Sequence, residues 1–215
     1  MPKLAYLDAF PAPNALDLLA PHSHVDVVRV ASDDPLKQSF AALKDAHAWQ
    51  CVPARDEVPP ALRVDDAFLA QTPELLVVSS GGSGTDTFDP EACTRAGVLL
   101  VNQAGANAEA VAEHALGMTL SLLKRIPEAD HALRRGWRGA RVEFRGRDLL
   151  GKTVGIVGLG HVGRRLAWLC RHAFRCRVLA FDPYLSPEDF TARDAEQTNL
   201  IPCSASPMWS ASIRR

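Results

Sequence analysis

The sequence predicts an α/β fold built on parallel, doubly wound sheets. Two observations carry that prediction. Short apolar runs alternate with amphipathic helical stretches from residue 3 to residue 182, the order that a parallel sheet with helical crossovers requires. Within that alternation, residues 153–182 read TVGIVGLGHVGRRLAWLCRHAFRCRVLAFD, an apolar run, a glycine-rich turn, a helical segment and a second apolar run closing on Asp182. That is the start of a βαβ unit.

Taken in order, residues 3–7 read as a first strand and 14–19 as the start of a helix. Residues 25–30 follow as a second strand. Residues 35–44 carry helical spacing, with Leu36, Phe40 and Leu43 on one face. A third strand falls at 48–52, a short helix at 65–70 and a buried strand at 75–79. The loop SGGSGTD leads from that strand into a helix at 90–96 and a strand at 98–101. This first unit is expected to occupy residues 1–103, and a second unit 104–198. Residues 107–126 form the longest helical pattern, with Val111, Ala115, Met118 and Leu122 on one face and Pro127 as its stop. A helix at 128–135 precedes an arginine-rich stretch with Arg138, Arg141, Arg145 and Arg147. Those arginines read as a solvated arm or subunit contact, with an anion or nucleic-acid patch as the alternative.

Composition bounds the function classes. The 215 residues are 47% hydrophobic and 23% charged with a net charge of −1, which gives no reason to expect nucleic acid or an anionic membrane as partner. No apolar run approaches the ~20 residues that span a bilayer, and the opening MPKLAYLDAF reads without a secretory leader. Five cysteines without a CxxC pair point to a reduced, cytoplasmic setting, neither a disulfide scaffold nor a metal site.

The motif with chemistry is Gly158-x-Gly160-x-x-Gly163. Gly158 permits a tight turn, Gly160 lets backbone approach a pyrophosphate, and Gly163 lets helix pack on strand. The helix that opens at His161 and Val162 offers free N–H groups and a positive dipole end to phosphate. Asp182, 19 residues past Gly163, can accept both ribose hydroxyls and repel a 2′-phosphate, which selects NAD over NADP. A second phosphate-loop pattern, GRDLLGKT at 146–153, is discounted because a β-rich run, not a helix, follows its lysine.

Four stretches together resemble the D-isomer-specific 2-hydroxyacid dehydrogenases, the family that includes D-3-phosphoglycerate dehydrogenase. They are SSGGSGTDTFD (79–89), VLLVNQAGANAEAVAEHALGM (98–118), LLGKTVGIVGLGHVGR (149–164) and VLAFDPYLS (178–186). The resemblance implies a flavodoxin-like substrate domain followed by a partial Rossmann domain, with an active site in the cleft between them. It implies that backbone N–H groups at Gly82, Ser83 and Gly84 hold the substrate carboxylate, as a glycine-rich anion nest can. Val111 would approach the nicotinamide, and a homodimer would form through the nucleotide-binding unit, with helix 107–126 and the following arm as the surface. His114 reads as structural. The residues 51–55 would face the substrate group beyond C2, and Arg55 reads either as a partner for a phosphate or second carboxylate or as a surface arginine.

The reaction implied is hydride transfer between NAD and a 2-hydroxy or 2-keto acid. Its proton donor and carboxylate-orienting cation are an arginine, a glutamate and a histidine that the family carries downstream of Asp182. None can be matched in this sequence, so no catalytic residue is assigned and little or no turnover is expected of the 215-residue chain. A non-enzymatic NAD-binding or dimerisation module is the competing reading. Residues 199–215 change abruptly to Ser, Pro, Cys and Arg. Read one frame over, the codons from Leu200 permit Asp-Ser-Leu-Leu-Arg-Glu-Ser-Asp-Val-Val-Ser-Val-His, an apolar helix and strand. The tail is therefore expected to be frameshifted. This reading leaves the strands at 154 and 178 without later neighbours.

Overall fold

The computed structural model describes residues 1–10 and 12–200, and the backbone alone of 210–212. Two compact units, Met1–Asn107 and Ala108–Arg215, divide the chain.

The first unit is a five-stranded parallel sheet in the order β2-β1-β3-β4-β5. Its strands are β1 (Lys3–Leu7), β2 (Asp26–Val30), β3 (Ala48–Cys51), β4 (Val77–Ser80) and β5 (Leu99–Val101). Helices α1 (Ala15–Leu19), α2 (Leu36–Leu43), α3 (Asp66–Leu69) and α4 (Pro90–Ala96) make the crossovers. Two helix starts show their sequence causes. Asp65 accepts the Phe68 N–H at α3, and Asp89 accepts the Glu91 and Ala92 N–H groups at α4, where Pro90 occupies the first turn. Gly97 closes α4 at φ 71°, the left-handed position that glycine takes without strain. Trp49, Phe68, Leu43 and Val78 centre the core. The sequence anticipated these elements within two residues but missed the 3-10 turn at Pro60–Leu62, where three prolines obscure any periodicity.

The second unit places a four-stranded parallel sheet, ordered β8-β7-β6-β9, beside α5 (Ala108–Leu123) and α7 (His161–Phe174). Its strands are β6 (Thr153–Val157), β7 (Arg177–Phe181), β8 (Glu196–Gln197) and β9 (Ser210–Ser212). Ile156, Val178, Ala180, Leu159 and Leu166 lie at its core.

Two expectations are corrected here. The strands at 154 and 178 do have later neighbours. Gly155, Ile156 and Val157 of β6 pair with residues 210–212, and Leu179 and Ala180 of β7 pair with Glu196 and Gln197. Backbone hydrogen bonding makes a strand of a Ser-Ala-Ser run that side-chain patterning could not flag. The rest of the tail, 201–209 and 213–215, lies outside the described residues, and the expected frameshift with it. Second, Pro127 does not stop the long helix. Arg125 breaks it in the left-handed conformation (φ 54°), and Pro127 sits in the first turn of the next helix, α6 (Ile126–Arg134), where a missing N–H costs nothing. Helix α5 buries Ala112 and Leu123 and packs Ala115, Leu116 and Leu120 against the core. Val111, Met118 and Leu122 are 38%, 49% and 48% exposed. A helix apolar on both sides gives the sequence no single stripe to read.

Candidate functional site

The glycine-rich turn lies in the second unit, between β6 and α7. Gly158 has φ 89° and donates its N–H to Phe181 O at 2.8 Å, so the turn is tied to the end of β7. A β-carbon on Gly163 would stand 2.1 Å from Gly158 O. Only glycine lets α7 start this close to β6. A β-carbon on Gly160 would meet nothing within 4 Å, so the chain leaves open space where a ligand can approach backbone. Gly160 is the N-cap of α7, and the N–H groups of His161, Val162 and Gly163 have no partner within the helix, which is the anion-binding property of a helix start. His161 is exposed, Val162 half-buried, and the His161 Nδ1 lies 3.1 Å from an Arg164 guanidinium nitrogen.

Asp182 stands at the end of β7 with both carboxylate oxygens engaged. Leu159 N–H donates to Oδ2 at 2.9 Å and Tyr184 N–H to Oδ1 at 3.0 Å. These bonds fix the carboxylate at the head of the turn, and each oxygen keeps a lone pair for a hydroxyl. The turn, the open position at Gly160, the helix start and the clamped Asp182 fit the adenosine and pyrophosphate portions of NAD. Sequence reasoning missed Arg193, which donates from Nη1 to Leu159 O at 2.8 Å and so ties α8 (Pro187–Ala192) to the turn. Its spacing matches no motif, and only the fold of α8 delivers it. Val111 is an exposed residue of α5. Arg165, on α7, is paired to Glu109 on α5 at 2.5 Å, and this bond holds the Glu109 carboxyl below its usual range. His114 is an exposed α5 residue. Among the described residues no group of three His, Cys, Asp or Glu side chains could hold a metal ion.

The second candidate feature belongs to the first unit. After β4, the Ser80 hydroxyl donates to Gly84 O at 2.6 Å and accepts from Gly82 N–H at 3.3 Å. Gly82 O accepts from Gln103 N–H at 2.9 Å, and Ser83 O accepts from Asn102 Nδ2 at 3.0 Å. In a trans peptide the N–H points opposite to the preceding carbonyl. The N–H groups of Ser83 and Gly84 therefore face away from Gln103 and Asn102, and neither finds an acceptor among the described residues. Two adjacent free N–H groups are the donors that an anion nest requires. Pro53 packs at 3.1 Å from the β-carbon position of Gly82 and 3.3 Å from that of Gly84, which explains the small residues. One carboxylate opposes an anion here, Asp86, whose Oδ2 lies 3.1 Å from the β-carbon position of Gly84. Arg55 comes to the same loop and donates from Nε to Asp86 O at 2.7 Å. Asn102 and Gln103 were not anticipated as loop supports, because a residue after a strand carries no signal of what it will hold.

The phosphate-loop pattern at 146–153 forms no phosphate loop. Gly151 turns at φ 69° and β6 begins at Thr153, directly after Lys152. Within the arginine-rich stretch, Arg141–Phe144 forms a 3-10 helix.

Comparison with known proteins bears on the family and the fold. Residues 116–205 match the model described as D-isomer specific 2-hydroxyacid dehydrogenase, NAD binding domain. The D-3-phosphoglycerate dehydrogenase of Mycobacterium bovis is 44% identical over 131 residues, which are 60% of this chain and 24% of that protein. The chain thus aligns with about a quarter of the length of that curated relative. Among solved structures, a glyoxylate reductase from Paecilomyes thermophila superposes with a TM-score of 0.82 at 20% identity, covering 99% of this chain and 65% of the other. A D-lactate dehydrogenase from Aquifex aeolicus, complexed with NAD and lactic acid, superposes with a TM-score of 0.77 at 21% identity, covering 94% and 58%. At these identities the two structures speak for the fold.

Proposed function

The chain belongs to the D-isomer-specific 2-hydroxyacid dehydrogenase family, with residues 116–205 matching its NAD-binding domain, and from that premise we propose that it binds NAD through its second unit and a 2-hydroxy or 2-keto acid through its first. The observation that carries the reading is the Asp182 carboxylate, fixed by the Leu159 and Tyr184 N–H groups beside the open position at Gly160. In this reading Asp182 accepts the adenosine ribose hydroxyls and repels a 2′-phosphate. The start of α7, at His161, Val162 and Gly163, holds the pyrophosphate. Val111 gives α5 an apolar surface for the nicotinamide side. The Ser83 and Gly84 N–H groups, with Gly82 shaping their turn, orient the substrate carboxylate. NAD, when bound, supplies the hydride acceptor for a hydroxy acid or the donor for a keto acid.

The acid–base and carboxylate-orienting set of the reaction is matched nowhere in this sequence, so the 215-residue chain is proposed to bind cofactor with little or no turnover. Binding without turnover is also what a non-enzymatic NAD module would show, and the outward apolar residues of α5 favour such a module pairing with a second copy. A cytoplasmic location is part of the proposal, supported by the buried free thiols of Cys51, Cys93, Cys170 and Cys176. NAD titration followed by Trp137 and Trp168 fluorescence, paired with NADH oxidation by glyoxylate, hydroxypyruvate and pyruvate, tests the reading. Saturable quenching with negligible oxidation is expected. Absence of NAD binding by the folded chain would refute the cofactor assignment, and rapid oxidation would refute the claim of inactivity.

A further inference from the structure

We propose that the first unit carries a separate small-molecule site for a zwitterion, a compound bearing one carboxylate and one ammonium group as an amino acid does. A cavity of about 560 Å³ opens beyond the C-terminal ends of β1 and β3, lined by Asp8, Ser32, Arg55, Asp56, Glu57 and Arg63 among others. Small-molecule sites commonly have this size. The sheet order β2-β1-β3-β4-β5 makes this edge its switch point. The chain leaves β1 toward β2 and later returns to the other side of β1 as β3, and in open α/β sheets ligands bind in the crevice so formed.

The lining chemistry selects the ligand. Arg63 is fixed by two backbone carbonyls, with Nε on Val58 O at 3.2 Å and Nη2 on Arg55 O at 2.7 Å. Arg55 is fixed through Nε on Asp86 O. Among the described residues neither guanidinium is in an ion pair, and neither is Asp56 or Glu57. Asp8 is held in the left-handed conformation at φ 52°. Its N–H donates to Val30 O at 2.8 Å, its carbonyl accepts from Arg29 Nε at 2.8 Å, and its Oδ1 accepts from Ser32 N–H at 2.9 Å. Arg29 also stands 3.7 Å from that oxygen, and Oδ2 takes no bond among the described residues. Two uncompensated guanidiniums disfavour a simple cation, and three carboxylates disfavour a simple anion. A carboxylate on Arg55 and Arg63 with an ammonium on the acidic side satisfies both.

The test uses three probes on one skeleton, L-alanine with both charges, propionate with the anion alone and ethylamine with the cation alone. Each is titrated into the ¹⁵N-labelled 215-residue chain, and amide shifts are followed at residues 8, 32 and 55–63. L-alanine is expected to bind saturably and about tenfold or more tighter than either single-charge probe, the effect of one added charge-assisted hydrogen bond. Asp8→Asn keeps the Ser32 acceptor and tolerates a positive φ, so it should fold. It should reduce alanine binding to the propionate level without weakening propionate. Equal affinity for alanine and propionate would overturn the proposal. So would the absence of saturation by tens of millimolar alanine, or an Asp8→Asn chain of native spectrum that binds alanine unchanged. NAD-induced shifts in residues 158–182 report the other unit, so failure here leaves the cofactor reading standing.

Discussion

Gly163→Ala and Gly160→Ala are expected to separate packing from ligand contact within one turn. At Gly163 the added β-carbon would stand 2.1 Å from Gly158 O, against an ordinary carbon–oxygen contact of roughly 3.2 Å. The obstacle is backbone, so no rotamer relieves it, and α7 must retreat from β6 by about 1 Å. That movement loosens Leu166, Ala167 and Cys170, all buried on this face of the helix. Overpacking of this kind costs about 1–3 kcal/mol, and an unyielding carbonyl places the cost near the top, about 3 kcal/mol. At roughly 4–8 °C per kcal/mol for a unit of this size, the midpoint should fall by about 12–24 °C. At Gly160 the β-carbon meets nothing within 4 Å and φ is −74°. That change should cost less than about 1 kcal/mol, the scale of an N-cap substitution, yet weaken NAD at least about tenfold by standing against the pyrophosphate. Thermal unfolding followed by circular dichroism and NAD titration of both variants measure the two effects. If Gly163→Ala unfolds at the parental midpoint, the close helix–strand approach is wrong. If Gly160→Ala binds NAD unchanged, the pyrophosphate does not lie there.

Asp182→Ala removes the acceptor of the Leu159 and Tyr184 N–H groups together with the proposed ribose contact. Hydrogen bonds to a charged group are worth about 1.5–3 kcal/mol, so NAD affinity should fall roughly 10–100-fold by fluorescence titration, and unchanged affinity would contradict the role. Leu122→Asp should leave the fold intact, because Leu122 is 48% exposed, and should shift the sedimentation of any dimer to monomer. A parental profile would exclude that face. Burial pushes the Cys51 thiol up to about 11 and the Cys170 thiol up to about 12. Between about 9 and 12 the unfolded chain releases these protons while the folded chain keeps them, so their contribution is intact below pH 9 and is lost as pH climbs toward 12. Urea midpoints should decline over that window, less so in Cys170→Ala, and dithionitrobenzoate should label Cys170 only after unfolding. In acid the sign reverses. Arg177 holds Glu196, and Lys124 holds Asp148, below the usual carboxylate range, so their contribution is present above about pH 4.5 and is lost as pH falls further. Because these pairs are surface-exposed, salt should flatten that acid limb.

The sequence determined the parallel α/β architecture, because short apolar runs and period-3.6 helices alternate, and it determined the nucleotide turn. Gly158, Gly163 and Asp182 are local requirements, a positive φ, a missing side chain and an acid at the end of a strand, and each leaves a letter at a fixed spacing. Asp65 and Asp89 cap their helices by a requirement that is equally local. Other features needed the tertiary structure. Arg193 reaches Leu159 O across 34 residues, and Asn102 reaches Ser83 O across 19. Such contacts depend on where the sheet carries the chain, which no spacing rule encodes. The left-handed break at Arg125 and the Ser-Ala-Ser strand beside β6 were illegible because backbone bonding and steric fit decided them against local propensity. Which face of α5 turns inward was also a tertiary decision. Apolar residues ring that helix, so only its packing against α7 and the sheet could choose Ala112 and Leu116 over Val111 and Met118.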